Sequence, residues 1–172
     1  MTTLGQLRKT ALSFPETTER ANASGAITFT VRDTEFATFT SDQHVELRLV
    51  AEDSDRVRAE HPTAAPMTGG VRVPITDING QQLNHWVRRA WLAHAPKRLA
   101  EQNAAADTAV AGRVGDLPKA IGNPATRALV SQGITTLAQV AALSEAELHA
   151  LHGVGPKAIR ILAEAIAADG HR

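Results

Sequence analysis

The chain has no cysteine, no excess of charge of either sign and no long apolar run, and each absence removes a class of function. Without cysteine there are no disulfides and no cysteine-ligated zinc sites, a composition that fits a reducing compartment. Lysine and arginine together number 18, and so do aspartate and glutamate. The balance also holds locally: residues 1–105 carry 12 of each sign and residues 106–172 carry 6 of each. Neither half has the basic field of an avid nucleic-acid binder, so any phosphate binding has to come from a local patch, weak and easily screened by salt. No apolar stretch approaches the length of a membrane span. The start, Met1-Thr2-Thr3-Leu4-Gly5-Gln6-Leu7-Arg8-Lys9, lacks the apolar core of a signal peptide. Cytoplasm is the expected compartment and no membrane partner is expected.

Catalytic signatures are missing as well. There is no Walker-type Gly-Lys-Ser/Thr loop, no His-Glu-x-x-His and no Gly-x-Ser-x-Gly turn. Among seven histidines, His149 and His152 are three apart and Glu145 stands four before His149. Two ligands do not make a metal site. The expectation is therefore a non-enzyme with no metal and no obligate cofactor.

What is present is enough apolar material, 43% of 172 residues, for one medium core or two small ones. Leu4, Leu7, Ala11 and Phe14 fall on one helical stripe that Pro15 ends. After Asn22-Ala23-Ser24-Gly25, the alternation of Ile27, Phe29 and Val31 predicts a strand. Phe36 to Phe39 and Val45 to Leu49 predict two more, in an antiparallel meander with one wet face. Glu52 to Ala59 reads as a short helix stopped near Pro62. Val71, Val73 and Ile75 read as a strand in which Pro74 marks an edge position or a strand end. Asn79 and Gln82 form a capping-box start for a helix over 80–95. Its stripe of Leu83, Trp86, Val87, Ala90, Trp91 and His94 places both tryptophans in the core. Arg88, Arg89, Lys97 and Arg98 make a basic cluster.

Residues 100–115, rich in alanine with Gly112 and Gly115, break the periodicity and are expected to be a linker. The expected organisation is a domain over 1–102, a linker over 103–115 and a helical domain over 116–172. In the last, Asn123-Pro124 opens a helix ending at Gly133, a glycine just past the C-cap. Thr136 starts a short helix, and Ser144 with Glu147 forms a capping box for the next.

The densest local signal is Leu151-His152-Gly153-Val154-Gly155-Pro156-Lys157-Ala158, between two apolar helical runs. Gly153 and Gly155 can take φ > 0 and let another backbone come close, while Val154 plugs the junction. Pro156 suits the first position of a helix. The result is a helix N-terminus with open N–H groups beside Lys157 and Arg160, an anion-binding arrangement. This segment resembles the helix-hairpin-helix family of sequence-independent DNA-binding motifs. The resemblance implies phosphate contacts at Gly153, Val154, Gly155 and Lys157, with a monovalent cation possible at the hairpin. Asn123-Pro124, with Arg127 on its outer face, reads as a degenerate first hairpin. The layout resembles the C-terminal domain of the bacterial RNA polymerase α subunit, whose Gly-x-Lys segment falls on Gly155 and Lys157. The early arginine of that domain has no counterpart, since Pro124 stands in its place and Arg127 only near it.

Residues 3–99 resemble the MmcQ/YjbR-like family through three segments. These are Ala11-Leu12-Ser13-Phe14-Pro15-Glu16, Phe29-Thr30-Val31-Arg32-Asp33-Thr34-Glu35-Phe36-Ala37, and Ala90-Trp91-Leu92-Ala93-His94-Ala95-Pro96-Lys97-Arg98-Leu99. The family implies an α+β, CyaY-like fold: an antiparallel sheet with helices on one face, here followed by a small all-α domain. It brings no catalytic residues. Three functions stay open: a DNA-binding protein, a protein-interaction adaptor with a structural helical hairpin and no nucleic-acid partner, and a small-molecule or metal-binding N-terminal domain.

Overall fold

The computed structural model describes residues 1–170. Among them are an antiparallel six-stranded sheet and eight α-helices, a mixed α+β architecture. The chain separates into two compact units, 1–96 and 97–172.

The first unit begins with α1 (Leu4–Leu12), whose Thr3 cap accepts the Gln6 N–H. The strands are β1 (Thr17–Ala21), β2 (Ile27–Val31), β3 (Thr34–Phe39), β4 (His44–Leu47), β5 (Ala65–Met67) and β6 (Gly70–Pro74). Helix α2 (Ala51–Glu60) precedes β5, and α3 (Gly80–His94) follows β6. The sheet order is β1-β2-β3-β4-β6-β5, so the expected meander is present and β1 extends it. Only two residues, Arg32 and Asp33, join β2 to β3, with φ of 45° and 66°. Positive φ at both central residues matches the twist of a tight hairpin. A bulge at Phe29/Thr30 shifts the register from Phe29↔Ala37 to Thr30↔Glu35 and leaves Phe36 as the extra residue. Both Phe36 and Ala37 are consequently buried.

Apolar positions aligned across the ladders, Val45↔Val73 and Leu47↔Val71, form the core layer of the sheet. Helix α3 packs on β3 and β4, α1 on α3 and β1, and α2 on β5 and β6. The Asn79/Gln82 capping box is formed, and Trp86 and Trp91 are buried as the stripe predicts. Phe14 stacks on Trp91 with ring centroids 5.1 Å apart. In the other row of positions, threonines pair across strands: Thr18 with Thr30 at 2.9 Å, and Thr38 donating to Thr28 at 3.2 Å. These bonds satisfy Thr30 and Thr38, both nearly inaccessible. Pro74 lies at the end of β6, an inner strand, so of the two expected readings the strand end is the one observed.

The second unit holds α4 (Lys97–Thr108), α5 (Gly122–Ser131), α6 (Leu137–Ala141), α7 (Glu145–Ala150) and α8 (Pro156–Asp169). Helix α4 corrects the expected linker. It runs through most of 100–115 and packs along α5, burying Leu99, Asn103 and Ala106 at helical spacing. Alanine is the best helix former, yet it carries so little apolar contrast that the stripe is faint in the sequence. At the end of α5, Gly133 (φ 76°) donates to Val130 and Ile134 donates to Leu129, a Schellman closure of the helix. The core here centres on Leu129, Leu162, Ala125 and Val140. Full burial of Leu129 and Leu162 stabilises the unit by about 1.5–3 kcal/mol each.

Candidate nucleic-acid interface

Helix α7 is fixed at its start by the Ser144/Glu147 box. Ser144 Oγ accepts the Glu147 N–H at 3.2 Å and Glu147 Oε2 accepts the Ser144 N–H at 2.7 Å. The backbone N–H of Ser144, and after it the Ser144 hydroxyl, hold the Glu147 carboxyl below its ordinary value. The helix ends where the Leu151 N–H bonds to Leu148, and the turn closes with Val154 N–H on the Leu151 carbonyl at 3.1 Å. Val154 is 5% exposed, the plug that the sequence predicts.

The two hairpin glycines differ. Gly153 has φ 103°, in the region that favours glycine, whereas Gly155 is extended at φ −86° and ψ 171°. A Cβ on Gly155 would meet nothing within 4 Å. A Cβ on Gly153 would lie 3.1 Å from the Pro124 carbonyl oxygen and 3.4 Å from the Ala128 methyl. The positive φ and close approach read from the sequence for both positions are therefore found at Gly153, and Gly155 serves as the N-cap of α8. Pro156 is the first residue of α8.

Gly153 thus sets the hairpin against the first turns of α5, beside Asn123-Pro124. The path into α5 is a single 3₁₀ turn, Lys119–Ile121, followed by Gly122 at φ 82°. The two halves share a burial register: Ala125, Thr126 and Leu129 in α5 match Ala158, Ile159 and Leu162 in α8, with all six buried. At the same offset Arg127 matches Arg160, both exposed, and Pro124 stands where Lys157 stands in the second half.

At the start of α8 the N–H groups of Lys157 and Ala158 have no hydrogen-bond partner among the described residues. The Lys157 side chain is exposed and has no acidic partner among those residues. Arg160 Nε lies 3.8 Å from Glu164 Oε1, with both side chains more than two-thirds exposed, a weak pair. Arg127 turns its Nε to the Ala109 carbonyl at 3.2 Å, which occupies one of its donors inside the unit. His149 is 3.6 Å from Glu145, and no group of three or more His, Asp or Glu among the described residues could hold a metal ion.

The basic cluster around 88–98 is dispersed by pairing. Arg89 binds Asp53 at 2.7 Å, a carboxylate only 4% exposed, and Lys97 is 3.6 Å from Glu101. Arg98 donates to Gln102. The contact of Gly153 with Pro124 was not readable from the sequence, because a glycine in a turn does not say which backbone it approaches. No helix among the described residues is long and apolar enough to cross a membrane. No known protein family, curated protein or solved structure matches the chain.

Proposed function

We propose that this is a non-catalytic DNA-binding protein that holds the phosphate backbone through Gly153, Val154, Gly155, Lys157 and Arg160, with Arg127 nearby. In this reading α7, its turn and α8 are a helix-hairpin-helix. The Lys119–Ile121 turn and α5 are its degenerate first half, in a layout similar to the RNA polymerase α C-terminal domain. The first unit is then an MmcQ/YjbR-like domain of CyaY-like fold.

One observation carries the reading: the exposed start of α8, where two unpartnered N–H groups sit beside the unpaired ammonium of Lys157. Such a terminus favours a phosphate through directed N–H groups and the helix dipole. The carbonyls of His152 and Val154 accept no hydrogen bond among the described residues. Those oxygens suit a monovalent cation, which would add positive charge next to the phosphate. Backbone contacts carry no base information, so little sequence preference is expected.

A second reading, a protein-interaction adaptor, is favoured by a different feature. Helices α6, α7 and α8 leave an apolar groove of about 350 Å³ lined by Val140, Leu143, Leu148, Ile159 and Ile166. Together with the even charge balance, it suits a protein partner and needs no nucleic acid.

The test is fluorescence anisotropy of the full chain on two unrelated duplexes across a salt series. Few phosphate contacts give a slope of about −1 to −3 in log K against log salt. Lys157→Glu is expected to weaken both duplexes equally, and Arg98→Glu much less. A Lys157→Glu protein that binds like wild type would make the hairpin purely structural, and no binding at any salt would leave the adaptor reading in place.

A further inference from the structure

The stretch between α4 and α5 borders an open pocket that the DNA-binding reading does not use. This surface pocket of about 560 Å³ lies on the second unit, walled by Ala105, Thr108 and Ala109, by Val110, Arg113, Val114 and Gly115, and by Val130 and Thr135. Two of its lining residues, Ala109 and Val130, belong with Ala106 to a small apolar cluster, and Val114 packs against both this cluster and the main core of the unit. The volume lies within the range of ordinary small-molecule sites.

The wall is fixed in place before any ligand arrives. The Ala109 N–H bonds to Ala106 at 3.2 Å, and the Ala109 carbonyl accepts from Arg127. The Ala111 N–H donates to Asn123 Oδ1 at 2.9 Å, and the Arg113 N–H donates to Val110 at 3.0 Å. Gly115, at φ 48°, lies so close to the Thr135 carbonyl that an added Cβ would be 2.0 Å from its oxygen. Asp116 then ties the far end by accepting the Leu137 N–H at 2.7 Å. A wall held at this many points loses little freedom when a ligand binds.

The chemistry of the lining selects the ligand. Val110 is 44% exposed, so an aliphatic side chain is left in water at the pocket. Arg113 is exposed and its guanidinium has neither an ion pair nor a side-chain hydrogen bond among the described residues. One planar cation without an ion pair among the described residues, beside Val110, Val114 and Val130 with Thr108 and Thr135 as the other polar side chains, matches one carboxylate on an apolar body. The guanidinium takes the carboxylate through two parallel N–H bonds, and the tail covers Val110, Val114 and Val130. Phosphate is a poorer fit, since the rest of the lining offers it no second cation.

We propose that this pocket binds a small aliphatic monocarboxylate, with Arg113 as the carboxylate-binding residue. The proposal stands independently of DNA binding.

The experiment is a ¹⁵N-resolved NMR titration of the full chain with octanoate, and in parallel with octanamide, its neutral analogue. The expected result is saturable shifts confined to the amides of residues 105–115, 130 and 135. Octanamide, and octanoate on Arg113→Gln, are each expected to bind about 10-fold more weakly, the scale of one charge-assisted interaction. Ala105→Leu, which fills the pocket from the α4 side, is expected to weaken octanoate and octanamide alike. Shifts that never saturate, or that spread over both units, would reduce the effect to detergent-like association and overturn the proposal. So would equal affinity for acid and amide, or for wild type and Arg113→Gln. Because Arg113 is exposed, its variant keeps the wild-type spectrum elsewhere, so a lost site is distinguishable from a lost fold.

Discussion

Gly153 lies against the carbonyl of Pro124, and a methyl group on its α-carbon would sit 3.1 Å from that oxygen. Its φ of 103° is one that other residues rarely adopt. Gly153→Ala is therefore expected to destabilise the second unit by about 1–2 kcal/mol or more, through strain and contact together. Gly155→Ala, at an extended φ with open space around it, has no strain or contact to add and is expected to cost less than Gly153→Ala, about 0.5–1 kcal/mol for the preference of an N-cap for glycine over alanine. Urea midpoints of the two variants check this, and equal midpoints would contradict the asymmetry of the hairpin.

The two units have separate cores, and α4 belongs with the second. Fragments 1–96 and 97–172 are each expected to fold alone, whereas a C-terminal fragment starting at 113 is expected to be less stable. Losing α4 would expose Val130, which packs with Ala106 and Ala109. Circular dichroism melts of the three fragments test the boundary. A fragment starting at 113 that melts like the one starting at 97 would show that α4 contributes nothing.

The pair Arg89–Asp53 joins α3 to α2 with the carboxylate buried and the guanidinium about half exposed. Arg89→Ala leaves the carboxylate without its cation and is expected to cost about 1–3 kcal/mol, discounted for the exposed arginine. Adding Asp53→Asn is expected to return part of the loss, because a neutral amide tolerates burial better. A double-mutant cycle by urea unfolding measures the coupling, and strictly additive losses would show that the pair contributes nothing.

Glu147 contributes one part of the pH dependence, beside Asp42 and Asp77, whose carboxyls are also held below their ordinary values by hydrogen bonds from threonine hydroxyls. Its folded carboxyl titrates below its ordinary value because Ser144 donates to the ionised form. The associated stability is present above the unfolded pKa and is lost as pH falls through the folded one. Glu147→Gln removes that titration while keeping an acceptor for the capping box. The stability gap between wild type and Glu147→Gln is expected to shrink on acidification through the carboxylate range. Thermal melts at neutral pH and at pH about 3 give the two ends of that curve.

Local signals made several elements legible. The boxes at Asn79/Gln82 and Ser144/Glu147, the glycine closing α5 and the alternation in β2 to β4 each depend on residues a few positions apart, and each is observed. Helix α4 was missed because alanine gives propensity without periodicity. Strand β1, Thr-Thr-Glu-Arg-Ala, has no apolar alternation; its ladder to β2 and the Arg8–Glu19 pair hold it, and those are tertiary facts. At the hairpin, the residue types announced a helix start, but which glycine is strained depends on Pro124, many positions away. The pocket beside Arg113 lay inside what read as a linker.

The order of the sheet also bears on what happens when many copies of the chain meet. Its two outermost strands are the least inviting templates for another copy. β5 is three residues long and contains Pro66, which has no N–H to offer, while β1 carries the charged Glu19 and Arg20. Flat, hydrophobic outer strands recruit strands from neighbouring molecules; short, proline-bearing or charged ones do not. The apolar segments most able to stack into fibrils, β2 to β4, are covered on both flanks by these poor templates. Polymerisation through this sheet therefore requires β1 or β5 to detach first, which couples resistance to fibril growth to the stability of the native hairpins.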